Sequence, residues 1–288
     1  MKVIHKINEL RVELAQYYHS EQSIGFVPTM GCLHQGHLKL MKNAVKENDI
    51  VVLSIFVNPT QFGPEEDYEE YPRNFKKDFT KARETGVDYI FNPEVEEMYS
   101  EGYNTFVEVE KLTEKLCGAS RPEHFRGVTT VVTKLFNIVR PDIAYFGQKD
   151  FQQFVVIKRL VKDLNFPLKL EMVPIAREDD GLAISSRNKY LNKREREAAG
   201  VLYQALQKGE NMILKGERNA YKVEEKMKDL IKDEELASID YVKAVEPETL
   251  EDIEKISKEV LLAVAVFIGE TRLIDNFYLN KFNIDRGE

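Results

Sequence analysis

The fold is constrained most by short apolar runs that alternate with helix-like segments. Apolar, strand-like runs lie at 24–29, 49–57, 87–93, 142–147 and 168–175, and the run at 49–57 is dense in β-branched residues. Segments with helical spacing of apolar residues separate them, at 37–48, 78–86, 127–140 and 150–164. Strands that alternate with helices favour a parallel sheet with right-handed crossovers. The sequence therefore predicts an α/β fold, with ligands bound at the carboxyl ends of the strands.

The pattern changes after about residue 188. Two long helix-like segments come first, and they are followed by a strand-like run at 238–245. The apolar stretch 259–277 reads as two strands that turn near Gly269 and Glu270. This order predicts a smaller α+β domain. We place the main domain at residues 1–187 and the smaller one at 188–288.

Composition limits the function classes. The net charge is −8 and the pI is about 5.4, which disfavours nucleic-acid binding, because proteins that hold a polyanion usually carry a basic excess. Cys32 and Cys117 lie far apart without metal-ligand spacing, so reduced thiols in a cytoplasmic protein are expected. The first residues contain no apolar core of a signal peptide, and no run of about 18 apolar residues predicts a membrane span.

The motif His34-Gln35-Gly36-His37 follows a predicted strand and opens a predicted helix. Gly36 lets a ligand approach the backbone, and the helix start offers N–H groups and positive potential to a phosphate. Imidazoles in that place can stabilise charge that develops on phosphate oxygens. Two alternatives are a pair of surface histidines and a metal site completed by distant carboxylates.

Two further motifs offer cations for phosphate. Gly147-Gln148-Lys149-Asp150 lies at a strand-to-helix junction, where Lys149 could neutralise phosphate. Ile184-Ser185-Ser186-Arg187 combines hydroxyl groups with a cation that cannot lose its charge. The plain alternatives are an Asp150 helix cap with a solvated lysine, and a solvated turn.

A fourth motif, 56–62, ends the second predicted strand with Asn58 and Gln61. Side-chain amides can bind a hydroxy acid through paired hydrogen bonds. The alternative is an ordinary Asn-Pro turn.

Together these motifs resemble the family of pantoate–β-alanine ligases, within the HxGH nucleotidyltransferase superfamily. The resemblance rests on the order and spacing of four stretches: FVPTMGCLHQGHL (26–38), FVNPTQFGPEEDYEEYPR (56–73), CGASRPEHFRGVTTVVTKLFNIVRPDIAYFGQKDFQQ (117–153) and REDDGLAISSRN (177–188). It implies a Rossmann-like domain with a C-terminal lid domain, in a cytoplasmic homodimer. It also implies that pantoate attacks ATP, with Mg²⁺ present, to give pantoyl adenylate and pyrophosphate, and that β-alanine then displaces AMP.

The resemblance also implies roles for individual residues. His37, His34, Lys149 and Arg187 are the expected catalytic residues. The expected ATP contacts are Met30, Gly31, His34, Gly36, His37, Gly147, Gln148, Lys149, Asp150, Ala176, Ile184, Ser185, Ser186 and Arg187. Gln61 and Gln153 are expected to bind pantoate, with Gln61 also near β-alanine and Asn58 near the phosphates. Tyr71 and Arg121 are further candidate contacts, and Asp78 is a candidate water-mediated magnesium partner.

Two other functions stay open from the residues alone. One is an HxGH adenylyltransferase that acts on a phosphorylated alcohol and releases no AMP. We expect no extra pair of basic residues beside Gln61 and Gln153 in the site, so these amides favour a hydroxy acid instead. The other is a regulatory or tRNA-binding module with an inactive site, which the acidic pI disfavours.

Overall fold

The computed structural model describes residues 1–18, 20–64 and 66–280. The chain divides into two compact units. The first unit comprises Met1–Glu114, Arg121–Gln148 and Val156–Pro174. The second comprises Lys115–Ser120, Lys149–Val155 and the described residues 175–280.

A parallel sheet of six strands forms the centre of the first unit. Its strands are β1 (Lys2–Ile4), β2 (Ile24–Thr29), β3 (Ile50–Ile55), β4 (Tyr89–Phe91), β5 (Ile143–Gly147) and β6 (Lys169–Val173), in the order β1-β4-β3-β2-β5-β6. Every residue of β3 is buried, as expected for a strand covered on both faces. An apolar core with Val27, Leu53 and Tyr145 packs around the sheet.

The described residues form ten α-helices, and the four predicted at 37–48, 78–86, 127–140 and 150–164 are present with bounds within three residues of those predicted. The ten helices are α1 (Ile7–Leu14), α2 (Gln35–Glu47), α3 (Phe75–Thr85), α4 (Val95–Met98), α5 (Cys117–Ser120), α6 (His124–Val139), α7 (Phe151–Asp163), α8 (Lys193–Ala198), α9 (Gly200–Leu214) and α10 (Ala220–Lys232). Asn74 caps the start of α3 by accepting from the N–H of Lys77, and Gly86 ends it with φ 97°. Within the described part of the chain, no helix has the length and apolar character required to cross a membrane.

The strand order places a switch point between β2 and β5. The chain proceeds from β2 through β3 to β4 on one side of the sheet, and from β5 to β6 on the other. Connections that leave neighbouring strands in opposite directions create a crevice at the carboxyl ends of those strands. The loop that follows Thr29 and the turn that follows Gly147 both start at this edge of the sheet.

An antiparallel sheet forms the centre of the second unit. Its strands are β7 (Ala237–Val245), β8 (Val260–Ile268) and β9 (Thr271–Leu279), in that order. Strand β8 is almost entirely buried, and its apolar residues share a core with α9 and α10. Gly269, with φ 57°, and Glu270 form the tight turn between β8 and β9.

The predicted α/β fold with a parallel sheet and a smaller α+β part is confirmed. Strand β1 and helix α1 were not predicted. The segment predicted as one long helix after residue 192 is divided at Ala199 into α8 and α9. The compact units also place residues 175–187 in the second unit, whereas the predicted domain boundary follows residue 187. The ion pair between Arg177 and Asp275 fastens this segment to β9, and the boundary after residue 187 stays a prediction.

Candidate active site

The loop after β2 is held in an unusual backbone conformation. Gly31 has φ 84° and Cys32 has φ 50°, both in the left-handed region. A side chain at Gly31 would meet the Ile55 side chain at 3.0 Å and the Asp78 carboxylate at 3.1 Å, so glycine is required both for conformation and for space. The chain therefore turns sharply before it enters α2.

Asp78, on α3, fixes this loop. One carboxylate oxygen accepts from the N–H of Cys32 and the other from the N–H of Leu33, each at 2.8 Å. The residue is 3% exposed. Two charge-assisted bonds from one buried carboxylate stabilise the loop that carries the histidines. A role as a magnesium partner stays a prediction for Asp78, and loop support is the role that its contacts give it.

The two histidines lie side by side at the start of α2. Their ring centroids are 4.0 Å apart and the rings are tilted by 32°. The N–H of His34 donates to Nδ1 of His37 over 3.3 Å. An imidazole nitrogen that accepts a hydrogen bond carries no proton, so the neutral ring of His37 holds its proton on Nε2. His37 can therefore donate a hydrogen bond through Nε2.

The turn after β3 brings Gln61 beside the histidine loop. Pro59–Gln61 form one turn of 3₁₀ helix, and Nε2 of Gln61 lies 3.2 Å from the sulfur of Met30. Asn58 is 1% exposed, and its side-chain amide bonds to the Gln61 side chain and the Gly127 carbonyl. Residues from two of the predicted motifs thus meet at the carboxyl ends of β2 and β3.

Helix α6 packs closely against this turn. A Cβ atom at Gly127 would lie 2.2 Å from the carbonyl oxygen of Thr60, so only glycine permits the contact. The carbonyl oxygen of Gln61 lies 2.9 Å from Nδ1 of His124 and 3.4 Å from a guanidinium nitrogen of Arg121. Residues 124–127 form the first turn of α6, and their contacts support the backbone of Gln61.

An ion pair supports Arg121 in turn. Its guanidinium group donates to both carboxylate oxygens of Glu66, at 2.5 and 2.6 Å. Burial raises the pKa of Glu66, but the hydrogen bonds and charge of Arg121 outweigh it, so the net pKa lies below its ordinary value. Tyr71 is buried nearby and packs edge-on against Phe62 at 6.1 Å.

The second unit contains the predicted lysine. Lys149 lies in a 3₁₀ turn, Gln148–Asp150, and its ammonium group is 3.7 Å from the Asp150 carboxylate. The side-chain amide of Asn276 on β9 donates to the carbonyl oxygen of Lys149 over 3.0 Å. Gln153 follows in the first turn of α7 and is half-buried. A strand of the second unit therefore holds the backbone at Lys149.

A short hairpin positions the predicted serines and arginine. The N–H of Ile184 donates to the carbonyl oxygen of Ala176 over 2.9 Å, so these two predicted nucleotide contacts are neighbours. Ser185 then caps a 3₁₀ helix, Ser186–Tyr190, by accepting from the N–H of Arg187 at 3.3 Å.

The same hairpin is fastened to β9. The guanidinium group of Arg177 donates to both oxygens of Asp275, at 2.6 and 2.9 Å. The Asp275 side chain is fully buried. Burial raises the pKa of this carboxyl, and the charge of Arg177 opposes that shift. Asp275 and the adjacent Asn276 thereby hold the two segments of the second unit that carry predicted site residues.

The comparisons with known proteins agree on one family. The profile of a family described as pantoate-beta-alanine ligase matches residues 2–278. A pantothenate synthetase of Thermosipho africanus is 54% identical over 279 residues, which is 97% of this chain and 100% of that protein. This chain belongs to the pantoate–β-alanine ligase family.

Solved members of the pantoate–β-alanine ligase family share the fold. Pantothenate synthetase from Thermus thermophilus is 45% identical, covers 96% of this chain and 99% of its own, and superposes with a TM-score of 0.92. A family member from Francisella tularensis, complexed with beta-gamma ATP and β-alanine, is 36% identical with a TM-score of 0.79, over 96% of this chain and 97% of that one. The family condenses pantoate with β-alanine using ATP, so the predicted ligase class is confirmed.

The first unit of this pantoate–β-alanine ligase brings together its predicted residues from the loop after β2 and the turn after β3. Gly147 and Gln148 follow β5 at the same edge of that sheet. The second unit gathers Lys149, Asp150, Gln153, Ala176 and the segment 184–187. The individual roles of all these residues stay predictions.

Four supporting residues were missed in the sequence: Tyr99, Gly127 as a close-approach glycine, Asp275 and Asn276. Tyr99 donates to the side-chain oxygen of Asn58 over 2.7 Å. No sequence pattern joins Tyr99 to Asn58, because their contact depends on how distant segments pack. An acid followed by an amide within an apolar strand, as at 275–276, is a signal that could have been followed, since buried polar groups require partners.

Proposed function

We propose that this chain makes pantothenate in two steps, through a pantoyl adenylate. The observation that carries the proposal is the contact between Gln61 and Met30, in the loop that leads from β2 into α2. An amide that suits a hydroxy acid thus contacts the loop that leads to a helix start suited to phosphate. We propose that the acyl group and the phosphate chain meet there, because groups that react must be held close together.

In the first step, a carboxylate oxygen of pantoate attacks the α-phosphorus of ATP, and pyrophosphate leaves. Negative charge shifts onto the leaving oxygens. The Nε2–H of His37 and the N–H groups that open α2 are suited to stabilise it, because prearranged donors act most strongly where charge develops. Lys149 and Arg187 are proposed to neutralise the phosphate chain, with the serines before Arg187 as further donors.

In the second step, the amine of β-alanine attacks the acyl carbon. The bond from that carbon to the bridging oxygen breaks, AMP leaves with the oxygen, and the amine releases a proton. Gln61 is proposed to hold the acyl group through both steps, and Gln153 is proposed as a second pantoate contact. No covalent bond to the enzyme is required at either step.

Magnesium is proposed to enter with ATP. Among residues 1–18, 20–64 and 66–280, no group of three or more His, Cys, Asp or Glu side chains is placed to hold a metal ion. Asp78 already accepts two backbone N–H groups. These residues do not fit a metal site built by the protein, whereas phosphate oxygens and water are suitable ligands for Mg²⁺.

The decisive experiment uses pantoate labelled with ¹⁸O in its carboxylate. One labelled oxygen must appear in AMP, because it bridges carbon and phosphorus in the adenylate. ATP–pyrophosphate exchange that requires pantoate but not β-alanine would show the same intermediate. The proposal fails if AMP forms without label, if exchange occurs without pantoate, or if the product is dinucleotide-like and no AMP is released.

Variants test the assigned residues. His37→Ala and Lys149→Ala should each lower the single-turnover rate of adenylation by at least about 100-fold, since each removes a group that stabilises charge. His5→Ala and Lys162→Ala are matched controls outside the proposed site, with near wild-type rates expected. A near wild-type rate for either test variant would remove that residue from the mechanism.

We also propose that the enzyme is a cytoplasmic homodimer, as the family resemblance implies. Cys32 and Cys117 are both buried and not joined in a disulfide, as is usual in a reducing compartment. Light scattering on the purified chain tests the dimer, and cell fractionation tests the location. A monomer at micromolar concentration would refute the first of these proposals.

A further inference from the structure

The side chain of Asn58 is buried and has its hydrogen-bonding capacity filled. Its nitrogen donates to the side-chain oxygen of Gln61 at 3.1 Å and to the carbonyl oxygen of Gly127 at 3.2 Å. Its oxygen accepts from the hydroxyl of Tyr99 at 2.7 Å and from the hydroxyl of Thr60 at 3.0 Å. An amide has two N–H groups and two lone pairs on oxygen, so all four positions are occupied. A direct contact between Asn58 and substrate would require one of these bonds to break.

The carbonyl of Gly127 fixes which way this amide points. A backbone carbonyl oxygen can only accept, so the Asn58 atom that faces it must be the NH₂ group. The opposite atom is then the oxygen. The hydroxyls of Tyr99 and Thr60 could each donate or accept, but beside an oxygen they must donate. The hydrogen-bonding partners of the Asn58 amide therefore determine which side its nitrogen and its oxygen face.

The orientation of the Asn58 amide determines the orientation of the Gln61 amide. Because the NH₂ group of Asn58 faces Gln61, the Gln61 atom that it meets must be the acceptor, Oε1. The NH₂ group of Gln61 then points the other way, towards the sulfur of Met30, which is a weak acceptor. Gln61 is thus held with its donors directed to the place where the proposed acyl substrate binds.

We infer that Tyr99 is a positioning residue that sets the orientation of Gln61 through Asn58, and so favours a substrate that presents oxygen acceptors. The inference rests on the proposed function only for the identity of that substrate. Pantoate supplies acceptors in its carboxylate and hydroxyl oxygens, which matches two N–H donors. A reversed Gln61 would present its carbonyl oxygen and would repel a carboxylate.

The surroundings of Tyr99 hold its hydroxyl in place and keep it protonated. Its ring packs edge-on against Tyr103, with centroids 5.0 Å apart, and the ammonium group of Lys134 lies 5.6 Å from the ring centroid. Burial raises the pKa of Tyr99 to about 12. The hydroxyl therefore donates throughout the pH range in which such an enzyme is assayed.

The test compares Tyr99→Phe with Tyr103→Phe. Both replace a tyrosine of the same aromatic pair, but only Tyr99 donates to Asn58. Loss of one net hydrogen bond of about 1 kcal/mol should raise the KM for pantoate about fivefold in Tyr99→Phe. The KM for ATP should change less than about twofold, and Tyr103→Phe should match the wild type.

A second variant keeps the test open if Tyr99→Phe fails to fold. Thr60→Val removes the other donor to the same oxygen, and its longer bond predicts a smaller, still pantoate-selective rise in KM of about two- to threefold. The double variant should exceed either single one. Equal rises in both KM values, or a lower Tm with unchanged KM values, would mean that Tyr99 only packs, and would overturn the inference.

These outcomes are distinct from failure of the proposed function. If the wild type shows no pantoate-dependent exchange, the proposed function fails. If the wild type is active and both Tyr99→Phe and Thr60→Val keep the wild-type KM for pantoate, the inference fails and the proposed function stands.

Discussion

Replacing Asp78 with asparagine tests how the histidine loop is held. The carboxylate accepts from the N–H groups of Cys32 and Leu33, one on each oxygen. An asparagine keeps one acceptor and turns an NH₂ group towards the second N–H. The loop then loses one charge-assisted bond and gains a clash between two donors, while the shape of the side chain hardly changes.

The magnitude follows from burial. A hydrogen bond to a charged group contributes about 1.5–3 kcal/mol, and a buried N–H without an acceptor costs about 1–3 kcal/mol. Asp78 is 3% exposed, so water cannot replace the lost acceptor. We expect Asp78→Asn to lower the unfolding free energy by about 2–4 kcal/mol, which is on the order of 4–16 °C in Tm for a domain of this size. Displacement of the loop should also raise the KM for ATP at least about tenfold.

The assay combines thermal unfolding with steady-state kinetics in ATP and in Mg²⁺. Asp142→Asn is the matched control, because Asp142 accepts from the N–H of Ile24 at 2.7 Å, at the opposite end of β2. That variant should leave the KM for ATP unchanged. A wild-type Tm for Asp78→Asn together with an altered Mg²⁺ dependence would refute loop support and favour the magnesium role instead.

Three further predictions concern supporting contacts. Gly127→Ala should raise the KM for pantoate and lower the unfolding free energy by about 1–3 kcal/mol in denaturant titrations, because the new methyl group would meet the Thr60 carbonyl. An unchanged KM together with an unchanged unfolding free energy would refute the close approach. Asp275→Asn should lower the unfolding free energy by about 1–3 kcal/mol in urea, since it weakens the charge-assisted hydrogen bonds from Arg177 to this fully buried side chain. An unchanged unfolding free energy would contradict this. Because the pKa of Glu66 is lowered, its pair with Arg121 stabilises the fold above the ordinary carboxyl pKa of about 4.5, and this stabilisation is lost as the pH falls below that value. The difference in Tm between wild type and Glu66→Gln should therefore shrink as the pH falls below about 4.5. A difference that stays constant would refute the coupling.

Much of the first unit could be predicted from local pattern. The runs that became β2, β3 and β5 are short and apolar, and each is bounded by glycine, proline or a polar loop. Burial on both faces leaves few other structures for such runs. The position of His34 and His37 at the start of α2 also followed from the sequence, because a helix must begin where the strand loop ends.

Contacts between distant segments could not be predicted in this way. Tyr99 and Asn58 are 41 residues apart, and Arg177 and Asp275 are 98 apart. Neither separation reflects a periodicity of a helix or a strand, so neither pair leaves a local signal. The sequence showed Asn58 as a candidate ligand contact, and its burial revealed a filled amide that positions Gln61.

The amino-acid sequence was sufficient to predict the parallel sheet, the two helix-forming regions after it and the motifs at the strand ends, because these depend on periodicity and on residue type. It also determined the family through the order of those motifs. Which buried polar groups satisfy one another became visible only in the folded chain. Asp78 accepts from the loop after β2, and Tyr99 donates to Asn58. Such groups must find partners when water is excluded, and only the packing of the whole chain determines which partners are within reach.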